Sequence, residues 1–129
     1  MRNKKHNPKT VHRPLGKYSH GIEVAPEARW LYAAGQVGIT AKGKLVRGFK
    51  AQCDRAYRNM IAVLKAADMG VGDLVMVTVY LTRPEDIPAY REVRDRHLGR
   101  ARPASTLVVI SQLASPEMLI EVEGRAAKG

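Results

Sequence analysis

The sequence predicts a single α+β domain in which two helices lie on one face of a mixed β-sheet. Three observations lead there. Residues 49–67 carry apolar side chains at three- and four-residue spacing, the signature of a helix with one buried face. Residues 74–81 form an almost unbroken apolar and β-branched run, and two further stretches of that character, 104–111 and 118–126, close the chain. Strands separated by helical crossovers, with no helix after the last two, place both helices on the same side of one sheet.

In chain order, residues 1–14 read as a basic flexible tail and residues 15–129 as one domain. Arg2, Lys4, Lys5, Lys9, Arg13 and Lys17 have no acid among them, so the first 17 residues hold +6 of the net charge of +10. With Pro8 and Pro14 in it, such a segment reads as a solvated arm. No aromatic precedes Tyr18, which leaves base stacking without a platform, and nucleic acid therefore ranks last among partner classes. A chain of 129 residues with 45% apolar content can build one core without staples. Cys53 is the only cysteine; it can form no intrachain disulfide and reads as a small buried hydrophobe. No apolar stretch follows the basic start, and none approaches the roughly 18 residues that cross a bilayer. The expectation is a cytoplasmic protein with no membrane partner.

A short strand is expected at His20–Val24 and another at Trp30–Ala34, where Trp30 and Tyr32 share a face. The turn-like Ala41-Lys42-Gly43-Lys44 would end a hairpin. Helical spacing then aligns Phe49, Cys53, Ala56, Tyr57, Met60, Leu64 and Ala67, opposite Lys50, Asp54, Arg55, Arg58 and Lys65, with Gly70 as the C-cap. Leu74–Leu81 reads as a central strand. Asp86 is expected to cap a second helix with Pro88 in its first turn. Its stripe is Ile87, Tyr90, Val93 or the stem of Arg94, and His97, and Gly99 closes it. Alternation in the last strands groups Ser105, Leu107 and Val109 on one face, and Leu119, Glu121 and Glu123 opposite Met118, Ile120 and Val122. Leu107, Val109 and Leu119 are read as lying on the face that lacks helices, to be covered by another subunit with pockets at the seam.

No metal site or cofactor is expected: the histidines are scattered, Cys53 stands alone, and neither a nucleophile elbow nor a phosphate loop occurs. Short motifs carry the reading further. Leu15-Gly16-Lys17-Tyr18-Ser19-His20-Gly21, Ala34-Gly35-Gln36-Val37-Gly38, Ala51-Gln52 with Arg58-Asn59-Met60, Gly72-Asp73-Leu74-Val75 through Thr78-Val79-Tyr80-Leu81, Pro103-Ala104, and Ile120-Glu121-Val122-Glu123 follow in that order. Together they resemble the RidA/YjgF family over roughly residues 15–127. The resemblance implies a chorismate-mutase-like fold, a homotrimer with clefts between subunits, and hydrolysis of a small imine or enamine metabolite of the 2-iminobutanoate type. Members of that family have also been called endoribonucleases.

On the same resemblance, Tyr18, Gly35, Ser105 and Leu107 line the substrate pocket, and Glu121 is the catalytic base that holds the attacking water. Active members read Pro-Ala-Arg-Ser where this chain reads Pro103-Ala104-Ser105-Thr106. The pattern is that of an arginine-less branch: serine cannot supply the charged fork that grips a substrate carboxylate. Arg91, at a position where the family often has asparagine, is the candidate to restore that charge. Two alternatives stand beside the hydrolase. One is a non-catalytic ligand-binding or regulatory protein on the same scaffold, favoured by the missing arginine. The other is an RNA-binding or RNA-cleaving protein, suggested by the basic start but without a catalytic histidine pair.

Overall fold

The structure, a computed structural model, describes residues 2–129. Its elements are β1 (Lys4–His6), β2 (Gly21–Glu23), β3 (Arg29–Gln36), α1 (Phe49–Ala66), β4 (Leu74–Leu81), α2 (Ile87–Leu98), β5 (Ala104–Val109) and β6 (Ile120–Lys128). The main sheet has the order β3-β6-β4-β5. β4 and β5 run parallel, joined by α2, and β6 is antiparallel to both its neighbours. The last strand of the chain thus lies inside the sheet, which is why its inward residues Ile120 and Val122 are fully buried.

The apolar stripe of α1 is the heart of the core: Phe49, Cys53, Ala56, Tyr57, Met60 and Leu64 are all buried, against Val77, Val79 and Leu81 of β4 and Ile120 and Val122 of β6. The end of α1 differs from the sequence expectation. Asp68 takes the left-handed conformation (φ 57°), which short polar side chains tolerate. Gly70 lies beyond it with an ordinary φ of −135°. Asp86 stands at the N-terminus of α2, but its carboxylate accepts a bond from Arg83 Nε (2.8 Å) and caps no backbone N–H. Gly99, at φ 55°, does close α2.

A polar seam joins the helices. The Tyr57 and Tyr90 hydroxyls lie 2.6 Å apart, and His97 stacks on Tyr57 with ring centroids 5.6 Å apart while its Nε2 sits 2.7 Å from Asp54 Oδ1. Burial alone would raise the Asp54 carboxyl, but hydrogen bonds from His97 and Arg58 outweigh it and hold the group below its ordinary range. Burial, and then the Asp54 charge, push the nearby Cys53 thiol up to about 12. Thiolate is the reactive form, and Cys53 is fully buried. Native protein at about pH 8 is therefore expected to resist a thiol-specific alkylating reagent that labels the denatured chain one-to-one; rapid native labelling would show that α1 opens.

Two expectations need correction. Part of the segment read as a flexible tail is strand β1, paired antiparallel with β2 (Lys5↔Ile22). Side chains hold it: Asn3 Nδ2 donates to the Ala127 carbonyl (3.1 Å), and Asn7 Oδ1 accepts from His20 N–H (2.8 Å). After β3, the 41–44 turn forms, with Gly43 N–H bonded to Thr40 O (2.8 Å), but it closes on a single bridge, Ile39↔Leu45, not on a hairpin strand. Among the described residues no helix is long and apolar enough to cross a membrane.

Candidate functional site

β3 and β6 create a seat for Glu121. Their register runs Ala33↔Gly124 and then Gln36↔Val122, so one extra residue bulges from β3 at Ala34–Gly35. Gly35 lies in that bulge against the Glu121 side chain. A Cβ built on Gly35 would overlap its carboxylate, with Cδ only 2.6 Å away. Gly35 is therefore required as the residue that leaves room for Glu121, and two residues singled out from the sequence meet. Glu121 pairs across β4 with Tyr80, and Glu123 with Thr78. Tyr80 donates its hydroxyl to Glu123 Oε1 (2.6 Å), which together with partial burial holds that hydroxyl above its usual pKa. Tyr32, Ala34, Met76, Thr78, Glu123 and Arg125 frame a hollow of about 280 Å³ on this open face of the sheet.

Other motif residues are structural. Gln52 is buried and fully engaged: its Nε2 donates to the carbonyls of Val46 (3.2 Å) and Glu117 (3.0 Å), and its Oε1 accepts from Leu119 N–H (2.8 Å). Asn59 donates to the carbonyls of Val37 and Ile39 (3.2 and 2.8 Å). Gly38 packs on the Gln52 backbone, where a Cβ would come within 2.7 Å of Cα. These contacts tie α1 to the loops flanking β3 and β6, and so keep the Gly35–Glu121 seat in register.

The remaining sequence candidates lie elsewhere. Ser105 pairs with Val77 and Leu107 with Val79, so both point to the helix side. Leu107 and Leu119 pack on the core. The expectation that these leucines sit on the open face is thus overturned, for Leu107 by the pairing register and for Leu119, just before β6, by its packing on the core; Thr106 and Val108 of β5 occupy that face, next to Thr78 and Tyr80. Tyr18 lies beside the start of β5, where Ser19 bridges Ala104 and Ser19 N–H donates to Pro103 O (3.1 Å). The Tyr18 hydroxyl accepts from Leu15 N–H (3.1 Å).

Arg91 is exposed on α2. The arginine that α2 brings to Tyr18 is Arg94, one turn on and 7% exposed. Its guanidinium lies over the Tyr90 ring (5.7 Å to the centroid) and bonds Asp95 through Nε (2.9 Å). A Cβ on Gly16 would lie 3.7 Å from Arg94 Nη1 and 3.9 Å from Tyr18 Cδ1, so arginine and tyrosine converge over that glycine. The signal was in the spacing: Arg94 belongs to the stripe of Tyr90, Val93 and His97, and Arg91 does not. Among the described residues no group of three or more His, Cys, Asp and Glu could hold a metal ion.

One protomer therefore holds two half-sites. Glu121 and Gly35 are on the open face. Tyr18, Arg94 and Ser105 are on the helix side, two strands away, a lateral separation of roughly 10 Å at ordinary strand spacing.

Comparison with known proteins agrees with this architecture. The family described as Endoribonuclease L-PSP matches residues 9–128. A RutC family protein of Pyrococcus horikoshii is 36% identical over 118 residues, covering 90% of both chains. A 2-iminobutanoate/2-iminopropanoate deaminase of Dermatophagoides farinae is 28% identical, covering 78% of this chain and 77% of that one. Among solved structures, a Rid family protein of unknown function from Yersinia pestis superposes with a TM-score of 0.89 at 29% identity, covering 99% of this chain and all of that one. RidA from an Antarctic Psychrobacter gives a TM-score of 0.73 at 27% identity, covering 95% and 98% of the two chains. The order of motifs, the four-stranded mixed sheet with both helices on one side, and these matches place the chain in the RidA/YjgF family.

Proposed function

We propose that this chain hydrolyses a small imine or enamine metabolite in clefts assembled between the subunits of a homotrimer. The observation that carries the reading is the division of the candidate residues between two faces. No single protomer brings Glu121 and Tyr18 to one pocket, but a second copy laid on the open face can present its own Tyr18 and Arg94 to Glu121. That face carries exposed Trp30, Tyr32 and Val108, the kind of surface that association covers. A relative that carries the name of an imine deaminase supports the reaction class.

In the proposed reaction Glu121 takes a proton from a bound water as the water oxygen bonds to the imine carbon. The C=N π pair moves to nitrogen, giving a tetrahedral aminoalcohol. The carboxyl returns its proton to nitrogen, and the hydroxyl proton then passes through Glu121 to the same nitrogen as the C–N bond breaks, so that ammonia leaves and the ketone carbonyl is complete. Ser105 offers no positive charge to a substrate carboxylate. The loss of that contact costs roughly 1.5–3 kcal/mol, about ten- to over a hundred-fold in binding. Arg94, already shared with Asp95, supplies part of that charge in our reading.

Light scattering at micromolar concentration should give the mass of three protomers, and a monomer would end the shared-cleft reading. Ammonia release from freshly generated 2-iminobutyrate tests the chemistry. Weak turnover is expected, and neither Glu121→Gln nor Tyr18→Ala should retain it. Mixed oligomers of the two variants should regain it, because some clefts then combine an intact residue from each chain. Wild-type release no faster than the buffer rate would favour the second reading, a non-catalytic ligand-binding protein, for which the Ser105 substitution speaks.

A further inference from the structure

A second concavity lies at the opposite end of the sheet from Glu121, where β4 begins at Leu74 and β6 ends. It is a cleft of about 750 Å³. Three separate segments supply its cations: Arg2 and Lys5 from the N-terminal segment, Arg100 and Arg102 from the loop between α2 and β5, and Lys128 from β6. Among the described side chains lining it, Asp73 is the one acid, and its carboxylate is occupied by the Gly70 N–H (2.9 Å). Arg102 is oriented by the carbonyls of Gly99 and Ala101 (2.8 and 2.9 Å), which fix its guanidinium without neutralising it. Lys128 is partly balanced by Asp68 (3.7 Å), a carboxylate almost wholly in solvent. The floor is apolar, with Leu98, Pro103 and Ala127.

Gathering like charges around one hollow is unfavourable unless an anion fills it, and a concave wall concentrates their field. The β1–β2 register and the Asn3 bond to Ala127 are what bring Lys5 and Arg2 there. The basic N-terminal segment is thereby one wall of a cleft. We infer that this cleft binds a small polyanion carrying two or more phosphate groups. Cations arriving from three directions suit more than one anionic group, and arginine forks match phosphate oxygens. The volume is that of a small-molecule site. Among the described residues no aromatic side chain lines it, so nucleic acid finds no stacking platform.

The test uses calorimetry on the full chain at low ionic strength, with inorganic sulfate, pyrophosphate and tripolyphosphate as probes. Saturable binding of about one tripolyphosphate per chain is expected, tighter than pyrophosphate and much tighter than sulfate. The double variant Lys5→Gln/Arg100→Gln removes two exposed cations of the cleft and should weaken tripolyphosphate at least about tenfold. Lys42→Gln/Lys44→Gln, which removes the same charge from the exposed turn after β3, should leave it nearly unchanged. Far-UV circular dichroism checks that both variants fold. No saturable binding, or an equal loss in both variants, overturns the inference. So does polyuridylate binding tighter than tripolyphosphate with several chains per strand, which would make the cleft part of a nucleic-acid surface.

Discussion

Gln52→Ala is expected to lower folding stability by about 3–5 kcal/mol. The side chain is buried and makes three hydrogen bonds, to the Val46 and Glu117 carbonyls and from Leu119 N–H. Truncation leaves all three backbone groups without partners, and each orphaned group costs about 1–3 kcal/mol when water cannot reach it. It also opens a gap between α1 and two loops. Urea unfolding followed by circular dichroism, at one fixed protomer concentration, measures the loss. A change below about 1 kcal/mol would mean that water enters and replaces the amide.

The second large effect falls on activity. Glu121→Gln keeps the shape of the side chain and removes the base, so ammonia release from 2-iminobutyrate should fall by about 10²–10⁴-fold. Gly35→Ala should produce a comparable loss by a different route. Gly35 needs no unusual backbone conformation, so alanine is acceptable there except for its methyl group, which overlaps the Glu121 carboxylate. The end of a glutamate can swing aside, which limits the stability cost to about 1 kcal/mol while moving the base out of place. The two measurements together separate positioning from folding. Unchanged turnover in both variants would remove Glu121 from the chemistry.

Helices and the central strand were legible because periodicity reports burial directly. Every residue from Phe49 to Leu64 on the expected stripe of α1 is buried, and β4 occupies the expected residues. Strand β1 was not legible: Lys4-Lys5-His6 has no strand-forming bias, and its pairing depends on Asn3 and Asn7 reaching distant backbone. Alternation showed that Ser105 and Leu107 share a face, but which face is set by pairing with β4, a property of tertiary structure. The insertion of β6 between β3 and β4 is likewise invisible in chain order. Gly35 and Glu121 were legible only through motif resemblance; the bulge that joins them is a register property. Helical spacing offers Arg94 only as a stem on the buried stripe; that its guanidinium reaches Tyr18 depends on where Gly16 packs, and Arg91, three residues earlier, lies off that contact.

The paired hydroxyls of Tyr57 and Tyr90 have a consequence for descent. Each is the other's partner in a seam without water access, so phenylalanine at one position strands a hydroxyl at the other, at about 1–3 kcal/mol. Phenylalanine at both removes donor and acceptor together and comes close to neutral. A lineage leaving this pair one step at a time must cross a less stable intermediate that is a large fraction of a domain's total margin. The two positions are therefore energetically coupled, and exchanging both is favoured over exchanging one, although 33 residues separate them in the chain.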